Sequence, residues 1–175
     1  MAPDFASATR AYYGWLGDYL ALDADGLKEK RRKLLGEDGT GSAAFPFLRA
    51  TFYLWRDQFA AAKRKVREAP AVLSAGDMHL ENFGTWRDAE GRLAWGANDF
   101  DEAARLPFTS DLVRLATSLL LARRDAEDKL AADPAEGIDA ILAGYAQGLE
   151  DGAPFILEDP TLLKDRKMEV IRQAG

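Results

Sequence analysis

Between Pro70 and Glu102 the hydrophobic pattern changes period, and this switch constrains the fold more than any other feature of the chain. On either side of it, apolar residues recur at three- and four-residue spacing, as helices that bury one face require. Inside it, Ala71–Ala75 is a short apolar run after a proline, the pattern of a buried strand. Phe83–Arg87 and Arg92–Ala97 then flank Asp88-Ala-Glu-Gly91, a four-residue turn with glycine last, which predicts a β-hairpin. A strand and a hairpin set among helices make the expected class α+β, mostly helical.

The helices follow from the same periodicity. Tyr12, Trp15, Leu16, Tyr19 and Leu20 give the N-terminal segment one apolar face, with Trp15 expected in the core. After a polar, glycine-rich break at Gly36–Ser42, the stretch from Phe45 to about Arg67 predicts a second long helix. Phe47, Leu48, Phe52, Trp55 and Phe59 form its buried stripe, with Pro46 tolerated in the first turn. Residues 109–124 return to helix, with Thr109 or Ser110 as N-cap and Leu112, Leu115, Leu119 and Leu120 inward. Helices are also expected over 134–150 and 160–173. Trp86 and Trp95 on the two hairpin strands predict cross-strand packing, and Arg114 is expected on the helix surface or as a supporting partner of the site. With 175 residues, 47% of them apolar, one domain spanning 1–175 is the natural reading.

Composition removes several function classes. No cysteine and a single histidine leave nothing from which to build a zinc centre or a thiolate nucleophile. The same count excludes metallophosphoesterases, which share the G-D-x-H pattern but need several further histidines. A formal net charge of -6 argues against a nucleic-acid partner, and the basic cluster Lys28–Lys33 reads as a solvated helix face. No apolar run approaches the roughly 20 residues that span a bilayer, and the first residues lack the order of a signal peptide. No membrane partner and a cytoplasmic location are therefore expected.

The chemistry concentrates in Gly76-Asp-Met-His-Leu-Glu-Asn-Phe-Gly84 and in Asn98-Asp-Phe-Asp-Glu102. Asp77 stands just past the end of a strand and Asp99 at the end of the hairpin's return strand. A hairpin brings its two ends together, so both carboxylates and Asn82 converge. Oxygen donors without a His/Cys cluster point to a hard cation, Mg²⁺ or Ca²⁺, and acidic and amide oxygens are what Mg²⁺ prefers.

The spacing D-x-x-x-x-N, followed after a hairpin by Asp-Phe, resembles the catalytic loop and metal-binding segment of protein kinases. The form G-D-x-H-x-x-N is closer still to aminoglycoside phosphotransferases and choline kinase-like enzymes, where a histidine follows the aspartate by two, as His79 does here. The resemblance implies a C-terminal-lobe core with the hairpin carrying the metal site. It also implies Asp77 as the residue that orients or deprotonates the attacking hydroxyl, with His79 beside it in the catalytic loop. Asn82 and Asp99 would be Mg²⁺ ligands on the phosphates of a nucleotide such as ATP. Asp101 is an alternative to Asp99, which is preferred because it aligns with the motif's first aspartate. Asp111, in Ser110-Asp-Leu-Val-Arg-Leu-Ala116, would brace the catalytic loop from behind.

Phe45-Pro-Phe-Leu-Arg49, the Gly76–Gly84 block, Asn98–Glu102 and Asp111–Ala116 together resemble, in order, the bacterial family called domain of unknown function 2252. Within that resemblance the Phe45–Arg49 block implies a place for Arg49 near the site, as a phosphate or carboxylate partner. A glycine-rich phosphate loop and a strand lysine, which a complete kinase needs, are not evident upstream of Asp77. In the resembling family such elements lie downstream of the Asp-Phe-Asp block, so a fragment or a short family member is among the expected states. The function implied is Mg²⁺-dependent phosphotransfer to a small-molecule or protein hydroxyl. The alternative is a non-catalytic nucleotide-binding or interaction module. Asp77→Ala and Asp99→Ala are expected to abolish transfer while leaving the fold largely intact.

Overall fold

The computed structural model describes residues 4–21, 23–35, 44–59, 62, 64–125, 133–152 and 155–157. The glycine-rich break at Gly36–Ser42 and the helix expected over 160–173 lie outside them. The described part is α+β and mostly helical, as the change of period predicts. Among the described residues no helix is long and apolar enough to cross a membrane.

Helix α1 runs Phe5–Leu20, begun by Asp4, whose carboxylate accepts the Ser7 N–H at 3.0 Å. Its expected apolar face is only partly used. Leu16 is buried, whereas Trp15 is 55% exposed and stacks on Tyr19 rather than entering the core. The helix is attached instead through Tyr12, stacked 4.2 Å from Tyr53, and through Thr9, hydrogen-bonded to the Tyr53 hydroxyl at 3.1 Å. Helix α2 follows at Ala24–Leu35.

The long helix expected from Phe45 to Arg67 is broken into α3 (Ala44–Ala50), α4 (Phe52–Phe59) and α5 (Arg64–Arg67). Thr51 makes the first break. Its hydroxyl donates to the Phe47 carbonyl at 2.6 Å, and the Leu54 and Trp55 N–H groups both turn to its own carbonyl. Back-bonding of this kind by a β-branched residue bends helices. The break lets Leu48, Phe52 and Leu54 all reach the core although they sit on two different axes.

The strands form one long hairpin interrupted in the middle. β1 (Ala71–Ser74) pairs antiparallel with β4 (Ala104–Pro107), Ala71 opposite Pro107 and Ser74 opposite Ala104. Nested inside, β2 (Phe83–Arg87) pairs with β3 (Leu93–Ala97), Phe83 opposite Ala97 and Arg87 opposite Leu93. The inner hairpin closes at the expected turn, where Gly91 has φ +81° and the Asp88 carboxylate accepts the N–H groups of Glu90 and Arg92. Between the two ladders, residues 75–82 on one arm face 98–103 on the other, eight against six. A short β5 (Phe155–Ile156) adds to the free edge of β3.

Two expectations for these strands are corrected. β1 is not buried: Leu73 is 80% exposed, and only Ser74 is enclosed, because a two-stranded ribbon has no second layer behind it. Trp86 and Trp95 do not pack across the hairpin. Trp86 lies opposite Ala94 and Trp95 opposite Thr85, so the period of two puts them on opposite faces.

Helix α6 (Thr109–Asp125) packs behind the interruption, and α7 (Pro134–Asp151) packs on α6, with Tyr145 stacked 5.7 Å from Phe108. The buried line of α6 is not the expected leucines but Ser110, Arg114 and Ser118, spaced by four and all at most 1% exposed. Leu120, expected inward, is 44% exposed. The Thr109 hydroxyl donates to the Val66 carbonyl, and Ser110 accepts from the Trp55 indole at 3.1 Å, so both expected caps are engaged in tertiary contacts.

Candidate functional site

The residues singled out by the sequence lie where the two ladders leave the hairpin open. The turn into the first arm needs glycine: Gly76 has φ +88°, and a Cβ there would stand 2.2 Å from the Glu102 carbonyl oxygen. The two arms are then clipped together by Asn82, which is 2% exposed. Its amide nitrogen donates to the Asp77 carbonyl at 2.9 Å and to the Asp99 carbonyl at 3.2 Å. Its amide oxygen accepts the Asp99 N–H at 2.9 Å. Asp77, Asn82 and Asp99 are thus gathered at one corner, through the side chain of one and the backbones of the other two.

Helix α6 holds this corner from behind with polar groups. Asp111 accepts the Ala75 N–H at 2.8 Å and the Gly76 N–H at 3.2 Å, bracing the loop as its place in the sequence suggests. Its burial pushes the carboxyl above the ordinary range, against the pull of those backbone donors. Ser118 accepts the Leu80 N–H at 3.1 Å. Arg114, fully buried between the rings of Phe52 and Trp55 at 5.3 Å from each, directs Nε and Nη2 to Asp77 Oδ1 and Nη2 also to the Leu48 carbonyl. Burial draws its pKa down and the Asp77 carboxylate opposes that. Ser110-Asp-Leu-Val-Arg114 places Asp111 and Arg114 one turn apart on one side of α6; that pattern was the signal for Arg114, which sequence reasoning left on the helix surface or in support.

Asp77 is therefore not a free-standing side chain. Oδ1 is committed to Arg114, while the carboxylate stays 18% exposed and Oδ2 faces His79 Nε2 at 3.8 Å, beyond hydrogen-bonding distance. His79 is 2% exposed and meets Phe45 edge-on. Burial lowers its pKa below the usual 6.5, with the Asp77 charge working the other way, so the ring is neutral at physiological pH. Glu102, an exposed residue on the opposite arm, has its carboxyl raised above the ordinary range by partial desolvation and then by the neighbouring Asp77 charge. Glu102 escaped sequence reasoning as a neighbour of Asp77 because the interruption's unequal arms set that proximity.

The remaining candidates lie on the open side. Asp99 and Asp101 are exposed, and the Asp101 N–H donates to Asp99 Oδ1 at 3.3 Å. Arg49 reaches the same loop, as the Phe45–Arg49 block implies, but is held at 2.9 Å by Glu81 in an exposed ion pair. Arg105 lies on β4, exposed.

Among the described residues no three His, Cys, Asp or Glu side chains gather into a metal cage. A Mg²⁺ ion carried by phosphates asks for less, one or two carboxylates with phosphate and water oxygens completing the octahedron. Asp99 and Asp101, exposed and close in the chain, and the second lone pair of the Asn82 amide oxygen have the right chemistry for that partial role. The donor set fits a phosphate-borne ion and not a dedicated protein cage.

No curated protein and no solved structure matches the chain. A family model, DUF2252, described as an uncharacterized protein conserved in bacteria, matches residues 40–169, a span that takes in α3, the interrupted hairpin and α6. The chain belongs to the DUF2252 family.

Proposed function

We propose that this chain is a Mg²⁺-dependent, kinase-like phosphotransferase that moves a phosphoryl group from a nucleotide, ATP in the simplest case, to a hydroxyl of a small molecule or protein. The observation that carries the reading is the Asn82 clip, which fixes the Asp77 loop against the Asp99 loop at the open end of a hairpin. The order of these residues along the chain resembles that of a kinase-like C-terminal lobe. Positioning and charge neutralisation supply most of the catalysis in this chemistry, so a rigid corner of this kind is what it requires.

In this reading the acceptor hydroxyl approaches Asp77 Oδ2, the carboxylate oxygen not taken by Arg114. As the acceptor oxygen bonds to the γ-phosphorus and the bond to the bridging oxygen breaks, the hydroxyl proton passes to Asp77 and the nucleoside diphosphate leaves. Arg114 fixes the carboxylate's orientation, so that Asp77 Oδ2 can aim the acceptor hydroxyl. Neutral His79 closes the inner side of Asp77 without adding charge. Asp99, Asp101 and Asn82 would hold Mg²⁺, which supplies charge neutralisation on the phosphates. Arg49 would exchange Glu81 for a phosphate oxygen.

The test is calorimetric titration of ATP with and without Mg²⁺, followed by assay of ADP release. Metal-dependent binding that weakens at least about tenfold in Asp99→Asn, or about 1.4 kcal/mol, and ADP release that disappears in Asp77→Asn are the expected results. Equal binding with and without Mg²⁺, or full turnover in Asp77→Asn, overturns the reading. Asp77→Asn is used because its amide oxygen can keep accepting from Arg114, whereas Asp77→Ala leaves the buried guanidinium with neither counter-charge nor acceptor, at a cost of about 3–5 kcal/mol, so that the fold is not left intact as the sequence alone suggests.

A module that binds nucleotide without turnover is the second reading. It is favoured by the commitment of both Asn82 amide hydrogens and of Asp77 Oδ1 to holding the fold. Mg²⁺-dependent ATP binding with no ADP release under any acceptor would select it.

A further inference from the structure

Arg49 is the penultimate residue of α3, and the backbone that carries it is fixed. Leu48 is buried with its carbonyl held by Arg114, and Phe45 meets His79 edge-on. From that fixed point the Arg49 side chain reaches Glu81, on the short turn between His79 and Asn82. After burial and the Asp77 charge, the next influences on the His79 ring are the charges of Arg49 and Glu81, so the pair stands beside the ring that faces Asp77 Oδ2. The contact uses little of what an arginine offers. Among the described residues Arg49 makes a single hydrogen bond, from Nη1 to Glu81 Oε2 at 2.9 Å, whereas Arg32 grips Glu29 through two nitrogens and both carboxylate oxygens. The side chains of Arg49 and Glu81 are 46% and 62% exposed, and an ion pair so placed is weak. The planar fork of Arg49, suited to meeting two oxygens at once, is thus mostly unfilled beside the loop that carries Asp77 and Asn82.

We propose that Glu81 is a specificity-determining residue for the anion that Arg49 receives: it occupies the guanidinium in the unliganded chain and yields it only to an anion of two or more charges, the chemistry of a di- or polyphosphate. The selection follows from an exchange. An entering anion takes over Arg49 and releases Glu81 to water, where an exposed carboxylate is well hydrated. A monocarboxylate offers the same single charge and the same pair of oxygens as Glu81. It must also give up translational freedom that the tethered Glu81 does not have, so it does not displace Glu81. A phosphate with two or more charges brings a stronger acceptor and fills the rest of the fork. Because the pair is exposed, the threshold is low. Competition from Glu81 weakens phosphate binding about two- to fivefold, the equivalent of an ion pair of up to about 1 kcal/mol. The choice of phosphate as the anion rests on the phosphotransferase reading, whereas the competition between Glu81 and the anion needs neither Mg²⁺ nor turnover.

Inorganic pyrophosphate and acetate, at constant pH, matched ionic strength and without Mg²⁺, are titrated into the full chain with the His79 ring as the NMR reporter. Pyrophosphate should shift the ring signal saturably, and acetate should not. Glu81→Gln, a change at an exposed position, should tighten pyrophosphate about two- to fivefold. Arg49→Gln should weaken it, and Glu81→Gln added to Arg49→Gln should no longer tighten it. No saturable pyrophosphate binding, acetate binding as tightly as pyrophosphate, or no tightening in Glu81→Gln each overturns the proposal. So does an equal tightening in the Arg49→Gln background, which marks simple repulsion by a negative residue and not competition for Arg49. Mg²⁺-dependent ATP binding that needs Asp99 survives any of these results, so the phosphotransferase reading and the role of Glu81 fail separately.

Discussion

Replacing Asn82 by alanine removes the one side chain that ties the two arms of the interrupted hairpin. Three hydrogen bonds go with it, to the Asp77 and Asp99 carbonyls and from the Asp99 N–H, at 2.9–3.2 Å. At about 1 kcal/mol net for each neutral bond, the loss is about 3 kcal/mol. In a chain of this length that corresponds to a drop of about 6–12 °C in Tm. Asn82→Asp is at least as damaging, because its carboxylate still accepts from Asp99 but turns negative oxygen toward two carbonyls from a site that is 2% exposed. Asp99→Ala, on the exposed side, costs under about 1 kcal/mol. Urea unfolding followed by circular dichroism measures all three. A loss below about 1 kcal/mol for Asn82→Ala, or a loss in Asp99→Ala equal to it, would refute the clip.

Two further substitutions and one titration probe neighbouring parts of the corner. Gly76→Ala must abandon φ +88° or push back the Glu102 carbonyl 2.2 Å from the new methyl, so a loss of at least about 3 kcal/mol is expected in the same unfolding experiment; a loss near zero would show that the two arms are not in contact there. His79 is the chain's single histidine, so its ring titrates alone in an NMR spectrum, and the midpoint should lie below 6.5. Because its folded pKa is depressed, the unfolded chain takes up the proton first. Stability contributed by the neutral ring is present above pH 6.5 and is lost as pH falls from there through the folded midpoint. In His79→Phe that decline should flatten, and a midpoint above 6.5 would contradict the burial of the ring. Glu102 and Asp111 act with the opposite sign. Their raised pKa values mean that stability falls as pH rises from about 4 through their folded midpoints, a slope that Asp111→Asn should reduce in the same titration.

What could be read from the chain was what is local. The change of period at Pro70 announced the strands, and Asp88 and Gly91 announced the turn, because turn chemistry and alternation act over a few residues. The convergence of Asp77, Asn82 and Asp99 followed from the hairpin between them. What could not be read depended on packing partners far along the sequence. Ser110, Arg114 and Ser118 have the spacing of a solvated helix face, and only the polar loop packed against α6 turns that line inward. Thr51 looks like an ordinary helical residue until its hydroxyl bonds back to Phe47 and the helix bends. Trp15 keeps helical spacing with Tyr12 and Tyr19, yet what lies opposite α1 is Tyr53, which meets Tyr12 instead. The spacing D-x-x-x-x-N located Asn82 but not its bonds, which go to backbone groups on both arms.

A crystal soaked with Mg²⁺ and a non-hydrolysable ATP analogue puts the proposed chemistry to its most direct trial. If the interrupted hairpin is a phosphate site, the ion will lie about 2.0–2.1 Å from a carboxylate oxygen of Asp99 or Asp101, with the terminal phosphate turned toward Asp77 Oδ2. Density for the phosphates elsewhere on the surface, with the Asp77–Asp99 corner unchanged and free of metal, would contradict it.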